Sequence, residues 1–314
     1  MDQAAIRRKL GAWYDRTHRD LPWRRTSDPY SIWISEIMLQ QTRVAAVIPY
    51  YQRFLARFPR VQDLAAASED DVLALWSGLG YYTRARNLLK AARQIVAAGG
   101  FPRDYASIRA LAGVGDYTAA AVASIAFGLP HAAMDGNVRR VITRLTGDGD
   151  ADVGALAAQL LDTRRPGRWN QAVMELGATI CLPGEPLCAE CPVMKNCEAH
   201  RRGIQAELPL PRKRPEILRK ERIFLMIRRK GRILLVPSPR VSGFWDLPEV
   251  FSGVRLGLRL GEFRHAITNS QYHCEVREAK IAAPPRNSRW WDENKLDEIL
   301  LSTAAKKALR CLQK

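Results

Sequence analysis

The sequence has no long apolar segment and relatively few acidic residues. No uncharged apolar run approaches the roughly 18 residues of a membrane span, and no apolar segment follows the charged stretch at residues 1–9. We therefore expect neither a membrane anchor nor a secretory signal, and a cytoplasmic location. The 32 Asp and Glu residues are outnumbered by 49 Lys and Arg residues, which gives a net charge of +17. This excess favours a polyanionic partner, with nucleic acid ahead of an anionic membrane.

Cysteine is scarce outside one short segment. Four of the six cysteines fall within seventeen residues, separated by six, two and five residues: Cys181, Cys188, Cys191 and Cys197. Nothing indicates an oxidising compartment, so a disulfide framework is not expected. Zinc sites usually use two close cysteine pairs, whereas iron–sulfur clusters accept more dispersed runs, so the spacing fits an iron–sulfur cluster better. Buried thiols without a ligand are the alternative interpretation.

The length of 314 residues suggests about two domains. Helical patterns occupy residues 1 to about 200, and they include residues 30–47, 63–79, 84–98, 107–111, 116–127, 136–145, 153–162 and 170–180. A basic, Pro-rich stretch at 207–215 then reads as a linker. Beyond it the pattern predicts a small α+β unit, with a hairpin from 223–227 and 233–236 around Lys230-Gly231, a strand at 272–276 and a terminal helix at about 296–312.

A glycine-containing turn joins two of the predicted helices. Gly113 and Gly115 flank Val114 immediately before the helix predicted to begin at Asp116. Glycines permit a close approach of the backbone, and the N–H groups that open the following helix can hold a phosphate. The segment therefore fits the helix-hairpin-helix arrangement that binds the DNA backbone, although an ordinary helix–helix turn has the same pattern.

Two carboxylates stand in positions suited to acid–base chemistry. Glu36 lies inside a strongly apolar helical stretch, and Asp135 directly precedes a predicted helix. Glu36 could face solvent and Asp135 could simply cap its helix. If Glu36 is partly buried, however, its pKa rises and it can act as an acid near neutral pH. Paired with an ionised Asp135, it would give the two-carboxyl arrangement that breaks glycosidic bonds.

These motifs together resemble a known family. Residues 35–42 (SEIMLQQT), 78–82 (GLGYY), 113–115 (GVG) and 135–138 (DGNV), with the four-cysteine run, resemble the MutY adenine DNA glycosylases. That family belongs to the helix-hairpin-helix superfamily that also contains endonuclease III. The resemblance is dense over residues 1 to about 200 and weaker beyond them.

The resemblance implies a mainly α catalytic region at residues 1–205 and a small α+β, Nudix-like domain at 219–314, joined by a basic linker at 206–218. It further implies a six-helix barrel at about 26–130 and an iron–sulfur cluster domain built from 1–25 and 131–205. The four cysteines would bind one [4Fe–4S] cluster with no part in the glycosidic chemistry.

The resemblance also assigns roles to single residues. Glu36 would protonate the extruded adenine, and Asp135 would stabilise the sugar cation, with Tyr117 and Asn137 supporting them. The other assignments place Arg24 and Glu175 in the adenine pocket, and Gln41 and Tyr81 as wedges in the duplex. Gly113 and Gly115 would form the DNA-binding hairpin.

Tyr117 separates two subclasses of the superfamily. Endonuclease III carries a lysine at this position, and an amine can form a Schiff base with the sugar and go on to cut the strand. A phenol cannot. We therefore expect a monofunctional glycosylase that leaves an abasic site.

The second domain is expected to recognise a lesion and not to hydrolyse nucleotides. Residues 243–248 (GFWDLP) match an element of the family's Nudix-like domain, but 250–260 contain no acidic residue to hold Mg²⁺. The family usually presents Phe-Ser-His to 8-oxoguanine, whereas this chain has Phe263, Arg264 and His265. Arg264 could still donate hydrogen bonds to the lesion, could bind a phosphate, or could weaken lesion discrimination.

The expected substrate is adenine opposite 8-oxoguanine or guanine in duplex DNA, and we expect the protein to be a monomer. One alternative is a glycosylase of the same fold for thymine in G·T pairs, which has no evident need for Glu36 as an acid. Another is a non-catalytic, lesion-binding iron–sulfur protein, which has no need for two carboxylates. A third alternative is a nucleotide pyrophosphohydrolase, but the second domain lacks the metal ligands that such an enzyme needs.

Overall fold

The structure is a computed structural model that describes residues 2–149, 152–210, 216–267 and 269–311. The described residues divide into two compact units. The first takes its residues from Met1–Leu75 and Thr83–Arg212, and the second from Trp76–Tyr82 and Lys213–Lys314. The domain limits given above stay predictions, and part of the expected linker, 211–215, lies outside the described residues.

Helices make up the regular structure of the first unit. They are α1 (Gln3–Thr17), α2 (Pro29–Leu39), α3 (Val44–Arg57), α4 (Val61–Ala66), α5 (Glu69–Trp76), α6 (Tyr82–Ala97), α7 (Tyr105–Arg109), α8 (Asp116–Phe127), α9 (Gly136–Thr146), α10 (Val153–Leu160), α11 (Pro166–Thr179) and α12 (Glu198–Arg202). The helical character expected from the sequence is confirmed. Among the helices that the structure describes, none is long and apolar enough to cross a membrane.

The helical stretch expected at 30–47 is two helices, so that prediction was wrong in its continuity. The chain leaves the helix after Leu39, and Gln41 takes a positive φ of 57°. The Arg84 side chain supplies the reason, because its Nη1 donates to the carbonyls of Ile37, Met38 and Gln40 at 2.9, 3.0 and 2.6 Å. A residue distant in the sequence thus takes over carbonyls that a continuing helix would have used.

The stretch expected at 63–79 is also divided, into α4 and α5. Ser68 caps α5, since its Oγ accepts a hydrogen bond from the backbone N–H of Asp71 at 3.1 Å. Asp28 likewise caps α2 through the N–H of Ser31 at 2.8 Å, with Pro29 at the first helical position.

One hydrophobic core joins the first helix of the chain to the helices of the cysteine-bearing half. It packs α1 against α9, α10 and α11, and its fully buried members include Ile6, Leu10, Val141, Ile142, Leu145, Val173 and Leu176. Cys181, Cys191 and Cys197 pack against the same core. The segments before residue 25 and after residue 131 therefore fold together.

The second unit is α+β, as expected. Its strands are β1 (Leu218–Met226), β2 (Arg228–Arg229), β3 (Arg232–Pro237), β4 (Trp245–Asp246), β5 (Val254–Ile267), β6 (Ser270–Ile281) and β7 (Arg289–Asp292), followed by α13 (Thr303–Arg310). One sheet has the order β1-β6-β5, with β1 and β6 parallel and β5 and β6 antiparallel. The other has β2-β3-β4, with β7 paired to β3.

The hairpin turn at Lys230-Gly231 is confirmed, since both residues take positive φ and β2 pairs with β3. Most of the first apolar run, however, lies in β1 and pairs with β6. The expected terminal helix at 296–312 begins later, at Thr303, because Ser302 caps it by accepting from the N–H of Ala305 at 3.0 Å; Leu312 lies outside the described residues.

The contact between α8 and α11 depends on a glycine. A Cβ at Gly167 would lie 2.6 Å from the carbonyl oxygen of Ser124 and 2.7 Å from the Cα of Ile125. Both are backbone atoms, so one helix would have to move. We predict that Gly167→Ala lowers the free energy of unfolding by about 1–3 kcal/mol, measured by denaturant unfolding.

Gly136→Ala is the matched control. Nothing lies within 4 Å of a Cβ built at Gly136, so its unfolding free energy should change by no more than a few tenths of a kcal/mol. Equal stability of the two variants would contradict the close approach of α8 and α11.

Candidate active site

Helix α2 carries Glu36 into the interior of the first unit. Because α2 is apolar on almost every side, its residues 30 and 32–38 are all buried, and Glu36 is only 5% exposed. The alternative that this carboxylate faces solvent is therefore wrong. Burial disfavours the charged form of a carboxyl group. It raises the pKa of Glu36 to about 7, and nearby Asp135 adds to the rise, while the Tyr117 hydrogen bond and Arg24 oppose it.

Asp135 lies at the start of α9, where it caps the helix and lines the same cavity as Glu36. Its Oδ1 accepts from the N–H of Val138 at 2.7 Å, so it caps the helix. Its Oδ2 accepts from Nδ2 of Asn137 at 2.9 Å. Asp135 and Glu36 also line one cavity of about 440 Å³. The structure thus brings the two expected carboxylates and Asn137 to the same space.

Tyr117 comes from the first turn of α8 and meets Glu36 directly. Its hydroxyl donates to Oε2 of Glu36 at 2.7 Å. Burial, with Glu36 and Asp135 nearby, raises the pKa of Tyr117 well above its usual value. Tyr117 therefore stays a neutral phenol that can donate a proton in a hydrogen bond. The sequence placed this residue near Asp135, and the hydrogen bond to Glu36 was not expected.

A second buried carboxylate, Glu175 on α11, lines the same cavity and is held by two arginines. It is 1% exposed, and its oxygens accept from Nε and Nη2 of Arg19 and from Nη2 of Arg24, each at 2.8 Å. Burial alone would raise its pKa, but these hydrogen bonds outweigh burial and lower the pKa to about 2. Glu175 is therefore a permanent anion that orients two guanidinium groups at the cavity wall.

Arg19 was missed in the sequence, although it lines the cavity and contacts Glu175. Its partner lies 156 residues away, so no local spacing signals the pair. Arg24 and Glu175, in contrast, were both singled out from the sequence as adenine-pocket residues, and both line this cavity as a contacting pair.

Gln41 and Tyr81 lie in different units. Gln41 lines the cavity and stands in the turn that Arg84 holds after α2. Tyr81 belongs to the second unit, is 52% exposed and takes a positive φ of 53°. A non-glycine residue with positive φ is uncommon and marks a turn fixed by its surroundings. Both expected wedges thus stand at such turns.

The glycine turn between α7 and α8 has the expected form. Gly113 takes a φ of 74°, and a Cβ there would lie 2.7 Å from the Cβ of Asn87. Gly115 is the N-cap residue of α8. The helix has 12 residues, so the N–H groups of its first turn and its dipole favour an anion there.

The four cysteines line a separate small cavity with Arg144, His200 and Gln205. Among the described residues, no group of three His, Cys, Asp or Glu side chains stands ready to hold a single metal ion. A [4Fe–4S] cluster takes one thiolate per iron, so its ligands stand farther apart than those of one ion. Burial raises the pKa of Cys191 to about 12, so this thiol needs a positive neighbour or a metal to ionise.

Two observations at this cavity fit an anionic, thiolate-bound group. Arg144 is 2% exposed, and its Nη1 lies 3.4 Å from the Sγ of Cys181, which places a buried positive charge beside the thiols. Within the described residues, Nδ1 of His200 is buried and has no hydrogen-bond partner. The donor set and its surroundings therefore suit such a cluster.

A chain of hydrogen bonds links the cysteine cavity to Asp135. Nη2 of Arg140 donates to Oδ1 of Asn137 at 2.8 Å and to the carbonyl of Gly177 at 2.7 Å, and its Nε donates to the carbonyl of Cys181 at 2.7 Å. Asn137 in turn donates to Asp135. The backbone at the first of the four cysteines is thus connected to Asp135 through one buried guanidinium and Asn137.

The three expected lesion-recognition residues follow one another on β5 of the second unit. Arg264 is exposed, whereas Phe263 and His265 are half-buried, as the alternation of a strand requires. Phe263 stacks on Phe224 with ring centroids 5.8 Å apart. Arg264 and His265 line a basic surface cavity. Burial, with Lys307 and Arg240 nearby, lowers the pKa of His265, so this side chain is neutral at pH 7.

Comparison with known proteins agrees with this geometry. Residues 34–162 match the family model of the HhH-GPD superfamily base excision DNA repair proteins. The chain is similar to the adenine DNA glycosylase of Mus musculus, with 46% identity over 235 residues that cover 69% of this chain and 46% of that protein. It therefore spans less than half of the mouse protein's length.

Two further similarities extend the comparison. The adenine DNA glycosylase of Buchnera aphidicola subsp. Baizongia pistaciae is 36% identical over 242 residues, which cover 74% of this chain and 69% of that protein. The solved structure of a thermostable thymine-DNA glycosylase superposes with a TM-score of 0.60 and 30% identity, over 64% of this chain and 97% of that one. The chain therefore belongs to the adenine DNA glycosylase family, within the helix-hairpin-helix superfamily of base excision repair proteins.

Proposed function

We propose that this protein is a DNA glycosylase that hydrolyses the N-glycosidic bond of adenine paired with 8-oxoguanine or guanine. The observation that carries the proposal is the buried carboxyl of Glu36, hydrogen-bonded by Tyr117 at 2.7 Å in a cavity that it shares with Asp135. The net charge of +17 and the helix-hairpin-helix turn suit a DNA substrate. The fitting substrate is therefore a base flipped out of a duplex.

The two carboxylates divide the chemistry. With a pKa of about 7, Glu36 holds a proton at neutral pH and can pass it to a nitrogen of the departing purine. As the base leaves, positive charge develops on the deoxyribose, and an ionised Asp135, oriented by Asn137 and the N–H of Val138, stabilises it. Water then completes the hydrolysis.

The other wall of the cavity orients the base. Glu175 fixes the guanidinium groups of Arg19 and Arg24, which are donors suited to the acceptor nitrogens of adenine. Gln41 would enter the space that the extruded base leaves in the duplex.

The reaction should end at the abasic site. Tyr117 stands where an amine nucleophile would be needed, and the described residues that line the cavity include no lysine. No Schiff base with the sugar can then form. We further propose that Arg264 and His265, which line one surface cavity of the second unit, contact the base opposite the adenine.

The test is single-turnover adenine release from duplexes with adenine opposite 8-oxoguanine and opposite guanine. Wild-type protein should release free adenine, faster from the 8-oxoguanine duplex, and leave an uncut strand that borohydride does not trap. Glu36→Gln keeps the size of the side chain but has no proton to give, so we predict a loss of at least about 100-fold with duplex binding retained.

A matched control for Glu36→Gln is Glu190→Gln. Glu190 lies in the short turn Cys188–Glu190 outside the cavity lining, and this variant should release adenine at the wild-type rate. Release of thymine from G·T pairs would favour the thymine enzyme. Lesion binding without release of any base would favour a non-catalytic binder, and either result overturns the proposal.

The pKa of Glu36 predicts an alkaline limit to the reaction. The acid works only when protonated, so the rate should fall as the pH rises through about 7 and decrease about tenfold for each further pH unit. Single-turnover rates with enzyme in excess, and binding measured at the same pH values, separate chemistry from affinity. A rate that stays flat well into the alkaline range would rule out Glu36 as the proton donor.

We also propose that Cys181, Cys188, Cys191 and Cys197 hold one [4Fe–4S] cluster. When bound, it would supply a rigid structural element and take no part in the bond cleavage.

Protein purified without oxygen should contain about four irons per chain, measured by elemental analysis. Cys191→Ser should remove most of this iron. Cys274→Ser, which changes a buried cysteine of the second unit, should keep it. Equal iron in the two variants, or none in the wild type, would contradict the assignment.

A further inference from the structure

The hydroxyl of Tyr117 has two acceptors within reach. One is Oε2 of Glu36 at 2.7 Å, and the other is the thioether Sδ of Met174 at 3.2 Å. A phenol carries one proton and donates to one acceptor at a time, and a thioether is a weak acceptor. When Glu36 is ionised, its carboxylate therefore takes the Tyr117 proton and Met174 receives none.

Protonation of Glu36 adds a hydrogen-bond donor and removes an acceptor at the contact between Glu36 and Tyr117. A proton on Oε2 makes Glu36 a donor, and the Tyr117 oxygen becomes its acceptor at the same 2.7 Å contact. Tyr117 keeps its own proton, because burial raises the pKa of this phenol well above its usual value. That proton then needs another acceptor, since an unmade hydrogen bond in a buried site costs free energy. Met174 Sδ is the second acceptor that the described residues offer.

Helix α11 fixes the sulfur at this point. Gln171, Met174, Glu175 and Ala178 follow at helical spacing and line the active-site cavity as one face of α11. The two arginines anchor this face through Glu175, the neighbour of Met174. Met174 also packs against the main core of the unit. A methionine often serves only to fill space in a core. That role does not explain why the sulfur of Met174 faces the Tyr117 hydroxyl.

We infer that the Met174 thioether is the second acceptor for the Tyr117 proton, and that it positions this hydroxyl to accept from the protonated form of Glu36. Met174 is thus a positioning residue that acts through Tyr117 and supports the acid in the form that protonates the base. The inference rests on the proposed glycosylase function and adds to it a residue that sets the pH range of the reaction.

The other groups that face Glu36 stay the same when Met174 is changed. They are Tyr117 from α8, Asp135 from the start of α9 and Arg24 from the turn Pro22–Arg24. Glu175 from α11 lines the same cavity with its partner Arg19. Met174 itself has no charge. Its replacement by an apolar side chain therefore removes an acceptor without changing the electrostatic field at the carboxyl.

The experiment is the pH dependence of single-turnover adenine release by Met174→Leu. Leucine conserves volume but accepts no hydrogen bond, so the protonated form of Glu36 loses support. We predict that the alkaline limb of the profile moves down by about half a pH unit, with a smaller change in the rate on its acid side. Met174→Gln offers an amide oxygen at a similar reach and should return the limb to the wild-type position or above it.

Two comparisons separate this role from packing. Met38→Leu makes the same exchange at a fully buried position on α2 and should leave the limb in place. In a Tyr117→Phe background, which has no hydroxyl, Met174→Leu should move the limb no further.

The outcomes distinguish the two proposals. A wild-type protein that releases adenine, with the same limb in Met174→Leu, overturns the inference and leaves the function standing. The inference also fails if Met174→Gln behaves as Met174→Leu does, or if the shift persists without the Tyr117 hydroxyl. A wild-type protein that releases no adenine overturns the proposed function, and the inference with it.

Discussion

The proposed active site depends on keeping the carboxyl of Glu36 out of water. Ionisation inside an apolar helix is unfavourable, so this group holds its proton to a higher pH than an exposed carboxyl does. The packing of the surrounding helices keeps water away from this carboxyl. Helix α2 is buried along nearly its whole length, and α8 and α11 approach each other closely enough that only a glycine fits at position 167. The helix packing thus raises the pKa of Glu36, so that this carboxyl keeps its proton near neutral pH.

Two carboxyl groups at one cavity show how strongly the hydrogen-bond partners of a buried carboxyl determine its protonation state. Glu36 and Glu175 are both almost fully buried, yet the pKa of the first is about 7 and that of the second about 2. The first has a phenol as its hydrogen-bond partner, whereas the second has two guanidinium groups. Near neutral pH the first group can therefore hold a proton, whereas the second stays charged.

Much of this site could be predicted from the sequence, because the family motifs are local. Glu36, Asp135, Asn137 and the cysteines stand in short, recognisable segments, and the helical and α+β parts follow from hydrophobic patterning. The interruption of the first predicted helix could not be predicted, since it depends on the reach of Arg84 from α6. Arg19 and Met174 were also missed, because their partners Glu175 and Tyr117 lie 156 and 57 residues away in the sequence.

Strand β5 was missed for a different reason. It carries three arginines and three glycines or alanines among its fourteen residues and is exposed over much of its length, so it has no continuous apolar run of the kind that marks β1 and β3 in the sequence. Its pairing with β6, and not its own composition, makes it a strand.

The buried guanidinium of Arg144 joins separate pieces of the backbone. It donates to the carbonyls of Leu208 and Leu182 at 2.8 and 2.7 Å and to that of Gly184 at 3.3 Å. One side chain of α9 therefore fixes both the loop after the first of the four cysteines and the segment that follows the last of them. Because the acceptors are main-chain oxygens, substitutions of the side chains at positions 182 and 208 leave this anchoring in place.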